Sequence, residues 1–334
     1  MTTRVLVTGA GGFIGHHLVT YLKQRGYWVR GVDLKYPEYT DVDADEFEIL
    51  DLRRWDNCLR ATEGVDEVYA LAADMGGMGF ISSHHAEILH NNALINLHTL
   101  EAARENGVRR YLYSSSACIY PEYLQTDADV KPLREQDAYP AQPQDAYGWE
   151  KLITEKLCEY YASDYGLETR IVRFHNIYGP NGTWDGGREK APAALCRKIA
   201  QVEDGGTIEI WGDGEQTRSF CYIDDCVEGI YRLMQSDHRE PLNLGRDDMI
   251  SINGLARLII DISGKRDIEL RHVEGPQGVR GRNSDNTRLR EVLGWEPGIG
   301  LREGLEPTYA WIEQQVRARD ESRWQEAIPV ASAG

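Results

Sequence analysis

The strongest constraint on the fold sits at the amino end. RVLVTG (4–9) runs directly into GAGGFIGHHLVTYLKQRG (9–26). An apolar strand turns on Gly9, Gly12 and Gly15 into an amphipathic helix with Phe13 and Ile14 in its first turn. Glycines allow the tight turn and a close backbone approach, and the helix N-terminus offers free N–H groups to a pyrophosphate. GxxGxxG alone is a weak signal; between a strand and a helix it predicts a dinucleotide site. YWVRGVD (27–33) ends in Asp33. An acid there can accept a hydrogen bond from a ribose 2′-OH and would repel a 2′-phosphate, so NAD is expected over NADP. Asp51, in LDLR, is a weaker candidate for the adenine edge.

The rest of the chain follows this opening. FEILDLR (47–53) and EVYALAA (67–73) read as strands, and helices near 85–106 and 145–165 precede RRYLYSSS and TRIVRFHNIYGP. Strands alternating with helices of this length imply α/β, a Rossmann-type doubly wound parallel sheet. After residue 178 GPNGTWDGGREKAP reads as a long loop, and TIEIWGDG, SINGLARLIIDI and RLREVLGWEP suggest a smaller α/β portion. The expected division is an NAD-binding domain over 1–175 and about 218–240. A nucleotide-sugar-binding domain takes about 176–217 and 241–320, and 321–334 form a tail.

Charge and cysteine usage narrow the partners. A net charge of −17 disfavours nucleic acid, whose phosphates would be repelled. No apolar run approaches the ~18 residues of a membrane span, and no signal peptide precedes the first strand. The six cysteines (58, 118, 158, 196, 221, 226) form no CxxC pair, so neither zinc nor a disulfide framework is indicated, and a reducing cytoplasmic setting fits. His84, His85 and His90 have no carboxylate or cysteine partner at ligand spacing and read as structural or dimer-face residues, with no metal expected.

The reacting end is YGWEK (147–151), which sets Tyr147 and Lys151 four apart on one helical face. A tyrosine is a poor base at neutral pH, and a nearby ammonium is expected to lower its pKa. It could then take a proton from a sugar hydroxyl while hydride leaves the carbon for NAD. An accidental YxxxK on a solvated helix is common; the order glycine turn, SSSA at a strand end, then YxxxK lifts this one. Trp149, between the pair, should face away.

In that order the chain resembles the extended short-chain dehydrogenases/reductases that modify nucleotide sugars. The resemblance covers essentially the whole chain. It is most specific in ALAADMGGMGFI (70–81), SSSACIYPE (114–122), PQDAYGWEK (143–151), RFHNIYGPNGTWDGGREKAPAA (173–194) and EGPQGVRGRNSDN (274–286). It implies epimerisation of a GDP-mannose-type nucleotide sugar at C3 and C5 by a homodimer. Tightly bound NAD would oxidise C4, and the C4 ketone would acidify the neighbouring hydrogens. Cys118 and Lys190 are implied as the acid/base pair at the ring; otherwise Cys118 reads as a small buried hydrophobe and Lys190 as a solvated loop lysine. Ser116 and Ser114 are candidates to hold sugar hydroxyls or the C4 oxygen, with backbone bonding at a strand end the alternative, for Ser114 especially. Gly76, Gly77 and Met78 are expected close to the sugar, with Ala117 beside Cys118. Asn176, Glu189 and Ala191 join them by resemblance. Lys198, Gln216, Arg218, Arg280 and Arg282 are candidates for the diphosphate, ribose and base, arginine because its planar fork matches two oxygens. A 4,6-dehydratase would carry an Asp-Glu pair where Ala117 and Cys118 stand, and a C4-epimerase needs neither Cys118 nor Lys190. A non-catalytic NAD-sensing protein would be expected to lose Tyr147 or Lys151.

Overall fold

The structure, a computed structural model, describes residues 2–327. Strand β1 (Arg4–Thr8) feeds α1 (Phe13–Gln24), then β2 (Trp28–Asp33), β3 (Glu46–Ile49), α2 (Trp55–Thr62) and β4 (Glu67–Ala70). Helices α3 (Met78–Ile81) and α4 (His85–Glu105) lead to β5 (Arg110–Ser116), and α5 (Ala146–Tyr165) to β6 (Glu168–Phe174). Then come β7 (Ile177–Tyr178), α6 (Ala191–Gln201), β8 (Thr207–Trp211), β9 (Thr217–Ser219), β10 (Cys221–Tyr222), α7 (Ile223–Gln235) and β11 (Pro241–Leu244). The chain ends with β12 (Met249–Ser251), α8 (Ile252–Ser263), β13 (Glu269–Val273), β14 (Gly281–Arg282), α9 (Thr287–Leu293) and α10 (Leu301–Ala327).

Seven parallel strands form one sheet in the order β11-β6-β5-β4-β1-β2-β3. Along β1, Val5 and Val7 enter one apolar cluster with Leu18 and Leu22 of α1, while Leu6 enters the other with Leu100 of α4 and Cys158 of α5. Side chains alternate across a strand, so a sheet covered by helices on both faces needs apolar residues at every position. The winding reverses at β1, which pairs with both β2 and β4. Ligands of such sheets bind in the crevice at the strands' carboxyl ends near this switch point. Asp145 caps α5 by accepting the Gly148 N–H at 2.8 Å, and Gly166 ends it at φ 75°. In the smaller portion α6, α8 and α10 pack together, β8 pairs with β13, and β9 lies between β12 and β14.

Three expectations need correction. Residues 241–244 lie in the main sheet beside β6; Leu242, Asn243 and Leu244 are all buried, and Pro241 sits at the strand start, where its missing N–H is tolerated. The strand expected over 47–53 ends at Ile49, because the Asp51 carboxylate accepts the Arg53 N–H and turns the chain into α2. The tail expected from 321 begins inside α10, whose Leu305, Tyr309, Ile312 and Val316 repeat at helical spacing against the core; residues 328–334 lie outside the described residues.

Candidate active site

The nucleotide end is built by exclusion of side chains. A Cβ on Gly9 would lie 2.9 Å from the Ala72 nitrogen, and one on Gly15 would strike the Gly9 carbonyl. Gly9 also takes φ 70°, a left-handed conformation that suits glycine. A Cβ on Gly11 would collide with the Lys35 carbonyl, a requirement that the spacing of Gly9, Gly12 and Gly15 does not express. Asp33 accepts the Gly11 N–H at 2.9 Å and the Leu34 N–H at 2.6 Å, which fixes its carboxylate beside the turn. The α1 N-terminus at Gly12 carries no side-chain cap. An uncapped helix end behind a side-chain-free turn, with an acid at the next strand end, fits the pyrophosphate and ribose of NAD. Asp51 is bidentate to Arg53, which also reaches Asn91, so its carboxylate is already engaged.

At the carboxyl end of β5 the Ser116 hydroxyl accepts the Cys118 N–H at 3.2 Å and starts a 3₁₀ turn over Ala117–Ile119. That turn docks on the first turn of α5. A Cβ on Gly148 would collide with the Cys118 carbonyl, so the residue after Tyr147 must be glycine to bring phenol and thiol together. Tyr147 is buried and hydrogen-bonded by Ser116. Trp149 is 42% exposed and faces away, as its spacing implies.

Two details differ from the sequence reading. The Ser114 hydroxyl donates to the Ala70 carbonyl at 2.8 Å, the backbone-bonding alternative. Lys151 is fully buried and donates to the Ser114 carbonyl at 2.8 Å, with Nζ 5.5 Å from the centre of the Tyr147 ring. Burial pushes the Tyr147 phenol well above 10, with Cys118, Glu150 and Asp145 adding and only Ser116 opposing. The expected lowering by Lys151 is outweighed because burial disfavours phenolate and ammonium alike; the Lys151 ammonium is itself held below the ordinary lysine value.

Lys190 stands at the head of α6. The cleft walls hold its ammonium below the ordinary lysine value, opposed by the Cys118 and Cys226 thiols. The side chain is exposed, so solvent screening weakens the effect. Cys118 is half-buried, and Arg282 Nη1 lies 3.4 Å from its sulfur. Arg218 faces both; burial and the Arg282 charge push its guanidinium down to about 9. It is held by the carbonyls of Thr217, Gln277 and Val279.

The remaining candidates divide. Asn176 holds a left-handed turn (φ 48°) with its amide on the Ser219 carbonyl. Gln216 is buried with Oε1 unpartnered. Met78 lies beside Gly278, across from Arg218. Ala191 opens α6, while a Cβ on Gly76 would touch Phe80 and Arg188. Gly77 makes room for the chain itself: its N–H donates to the Arg188 carbonyl at 3.0 Å, and a Cβ would lie 2.5 Å from the Glu189 carbonyl oxygen. The Glu189 carboxylate is taken by Arg197 and the Gly187 N–H, Lys198 by the Glu209 carbonyl, and Arg280 by Asp213. These three side chains are turned to protein partners. His84 bonds Ser83 and stacks on Phe80, and among the described residues no cluster of metal-ligating side chains occurs. No helix among the described residues is long and apolar enough to cross a membrane.

The sequence matches the NAD dependent epimerase/dehydratase family over residues 5–245. It is 55% identical over 315 residues to GDP-mannose 3,5-epimerase 1 of Oryza sativa subsp. japonica, covering 94% of this chain and 82% of that one. It is 54% identical to GDP-mannose 3,5-epimerase of Arabidopsis thaliana, covering 94% and 83%. Among solved structures, UDP-glucose 4-epimerase of Thermotoga maritima with UDP-glucose superposes with a TM-score of 0.83 at 28% identity, covering 94% of this chain and all of that one. Glycine turn, buried Tyr147–Lys151 pair and switch-point cleft thus have one common explanation: the chain belongs to the NAD dependent epimerase/dehydratase family.

Proposed function

We propose that this chain epimerises GDP-mannose at C3 and C5, giving GDP-L-galactose, with GDP-L-gulose from inversion at C5 alone. The observation that carries this reading is the packing of Cys118 against Tyr147, Phe80 and Ile81, the last two on the same short segment whose Gly77 N–H holds the chain just before Lys190 through the Arg188 carbonyl. The 55% identity to a GDP-mannose 3,5-epimerase supports the substrate.

NAD, when bound, supplies the hydride acceptor and later donor for C4, and a positive ring charge that opposes the burial of the phenol. Ser116 holds the C4 oxygen and Tyr147 takes the hydroxyl proton, returning it at the end. With C4 as a ketone, the hydrogens on C3 and C5 become acidic. A base on one face of the ring and an acid on the other then invert a carbon, and thiol and amine both titrate near enough to neutrality when tuned by a site. The depressed Lys190 value enlarges its neutral fraction. Arg218 and Gln216 are our candidates for the nucleotide, Asp33 and the glycine turn for NAD.

Leu89 and Leu97 of α4 and Trp149, Ile153 and Tyr160 of α5 are exposed on adjacent helices. This apolar face is our candidate for the homodimer contact, checked by light scattering of an Ile153→Glu variant. The two-domain division, with the boundary moved past Leu244, also stands as part of this reading. Incubation with GDP-mannose in deuterated water tests the reaction: deuterium is expected at C5 and C3. Cys118→Ala or Lys190→Ala should stop that exchange, and Tyr147→Phe should slow C4 oxidation. Protein with bound NAD that incorporates no deuterium would refute the assignment.

A further inference from the structure

Gln125 directly follows the short 3₁₀ turn Glu122–Leu124 and is 1% exposed. Its Nε2 donates to the Tyr120 and Pro121 carbonyls, both at 3.1 Å, and its Oε1 accepts Arg282 Nε at 2.6 Å. Those partners fix the amide orientation, since carbonyls need a donor and a guanidinium needs an acceptor. The Gln125 carbonyl accepts the N–H groups of Arg280 and Gly281 at 2.9 and 3.2 Å. One buried residue therefore ties the loop after Cys118 to β14. With Nε anchored, the planar fork has one remaining direction, and Nη1 reaches the Cys118 sulfur at 3.4 Å.

The groups that face this thiol come from every side of the cleft. They are Tyr147 and Lys151 from α5, Lys190 from the residue capping α6, Arg218 from β9 and Arg282 from β14. Four are cationic side chains, and among the described residues Arg282 is the one whose side chain comes within hydrogen-bond reach of the sulfur. We propose that Gln125 is a positioning residue that aims Arg282 at Cys118, so that a guanidinium stands against the sulfur before substrate enters. This rests on the reading of Cys118 as a proton-transfer group, and it deepens that reading.

The test is the pH profile of Cys118 alkylation by iodoacetamide, read by peptide mass on the NAD-loaded protein without sugar. The other five thiols are buried, with Cys58 pushed up to about 11 and Cys196 to about 12. Arg282→Met should raise the alkylation midpoint by about one pH unit or more, and Arg282→Lys should recover part of that shift. Gln125→Met should raise the midpoint less, in the same direction, and add nothing in the Arg282→Met background. An unchanged midpoint in Arg282→Met, or equal Gln125 shifts in both backgrounds, overturns the proposal. If Gln125→Met does not fold, Gln125→Glu, which pairs its new charge with Arg282, must also raise the midpoint, and no shift overturns the idea. Absence of sugar-carbon exchange in the unmutated protein would sink the epimerase reading but leave these midpoints standing.

Discussion

Gly77→Ala tests how finely the Lys190 loop is placed. Gly77 has φ −70°, so alanine strains no backbone angle; the effect must come from contact. The new Cβ would lie 2.5 Å from the Glu189 carbonyl oxygen, where ordinary contact begins at 3.4 Å, so the loop must retreat about 0.9 Å (3.4 − 2.5). Lys190 follows immediately and moves with it. A misplacement near 1 Å costs on the order of 10²-fold in rate, or about 2.7 kcal/mol. Deuterium incorporation at C5 of GDP-mannose should fall by about that factor. C4 oxidation at Tyr147, on the other wall, should change far less. Gly79→Ala is the control: its Cβ meets nothing nearer than the Trp211 ring at 4.0 Å, and helical Gly→Ala stabilises by roughly 0.5–1 kcal/mol. Exchange in Gly77→Ala within about threefold of wild type would refute the reasoning, because the loop would then have moved without consequence.

Burial, with His17 adding, holds the His16 imidazole down to about 4. Its folded value lies below its unfolded one, so its stability contribution is complete above pH 6.5 and is lost as pH falls toward 4. It amounts to about 3 kcal/mol, and His16→Asn should flatten melting temperature between pH 7 and 4.5; a slope equal to wild type would count against it. Glu155 and Arg173 pair at 2.7 Å with both side chains essentially buried, and Glu155→Gln should lose about 3–5 kcal/mol in urea unfolding. Asp33→Ser should weaken NAD by roughly ten- to a hundredfold in calorimetric titration and narrow its preference over NADP; unchanged NAD affinity would remove Asp33 from the ribose.

Local chemistry was legible in the sequence; long-range closure was not. Gly9 and Gly15 announce a side-chain-free turn, and Tyr147 and Lys151 share a helical face by arithmetic. Gly11, in the same quoted stretch, escapes because its obstacle is the Lys35 carbonyl from the bend just after β2. Gly77 looked like an approach to ligand, yet it admits residues 188–189, more than a hundred positions away. The Tyr147 phenol was expected to be lowered by Lys151, but spacing carries no measure of burial, and burial wins. Gln125 gave no signal, since a lone glutamine carries no motif; its role exists only where β14 returns to it.

The sheet's outermost strand also dictates an order of assembly. β11 pairs with β6, but some seventy residues, including all of β7 to β10, are synthesised between them. Until 241–244 emerges from the ribosome, β6 carries a bare hydrogen-bonding edge of Ile171 to Phe174, the kind of edge that recruits other chains. A fragment ending near 240 keeps the glycine turn, Cys118, Tyr147 and Lys190, and should still precipitate. Covering that edge falls to a four-residue strand that carries none of the candidate site residues.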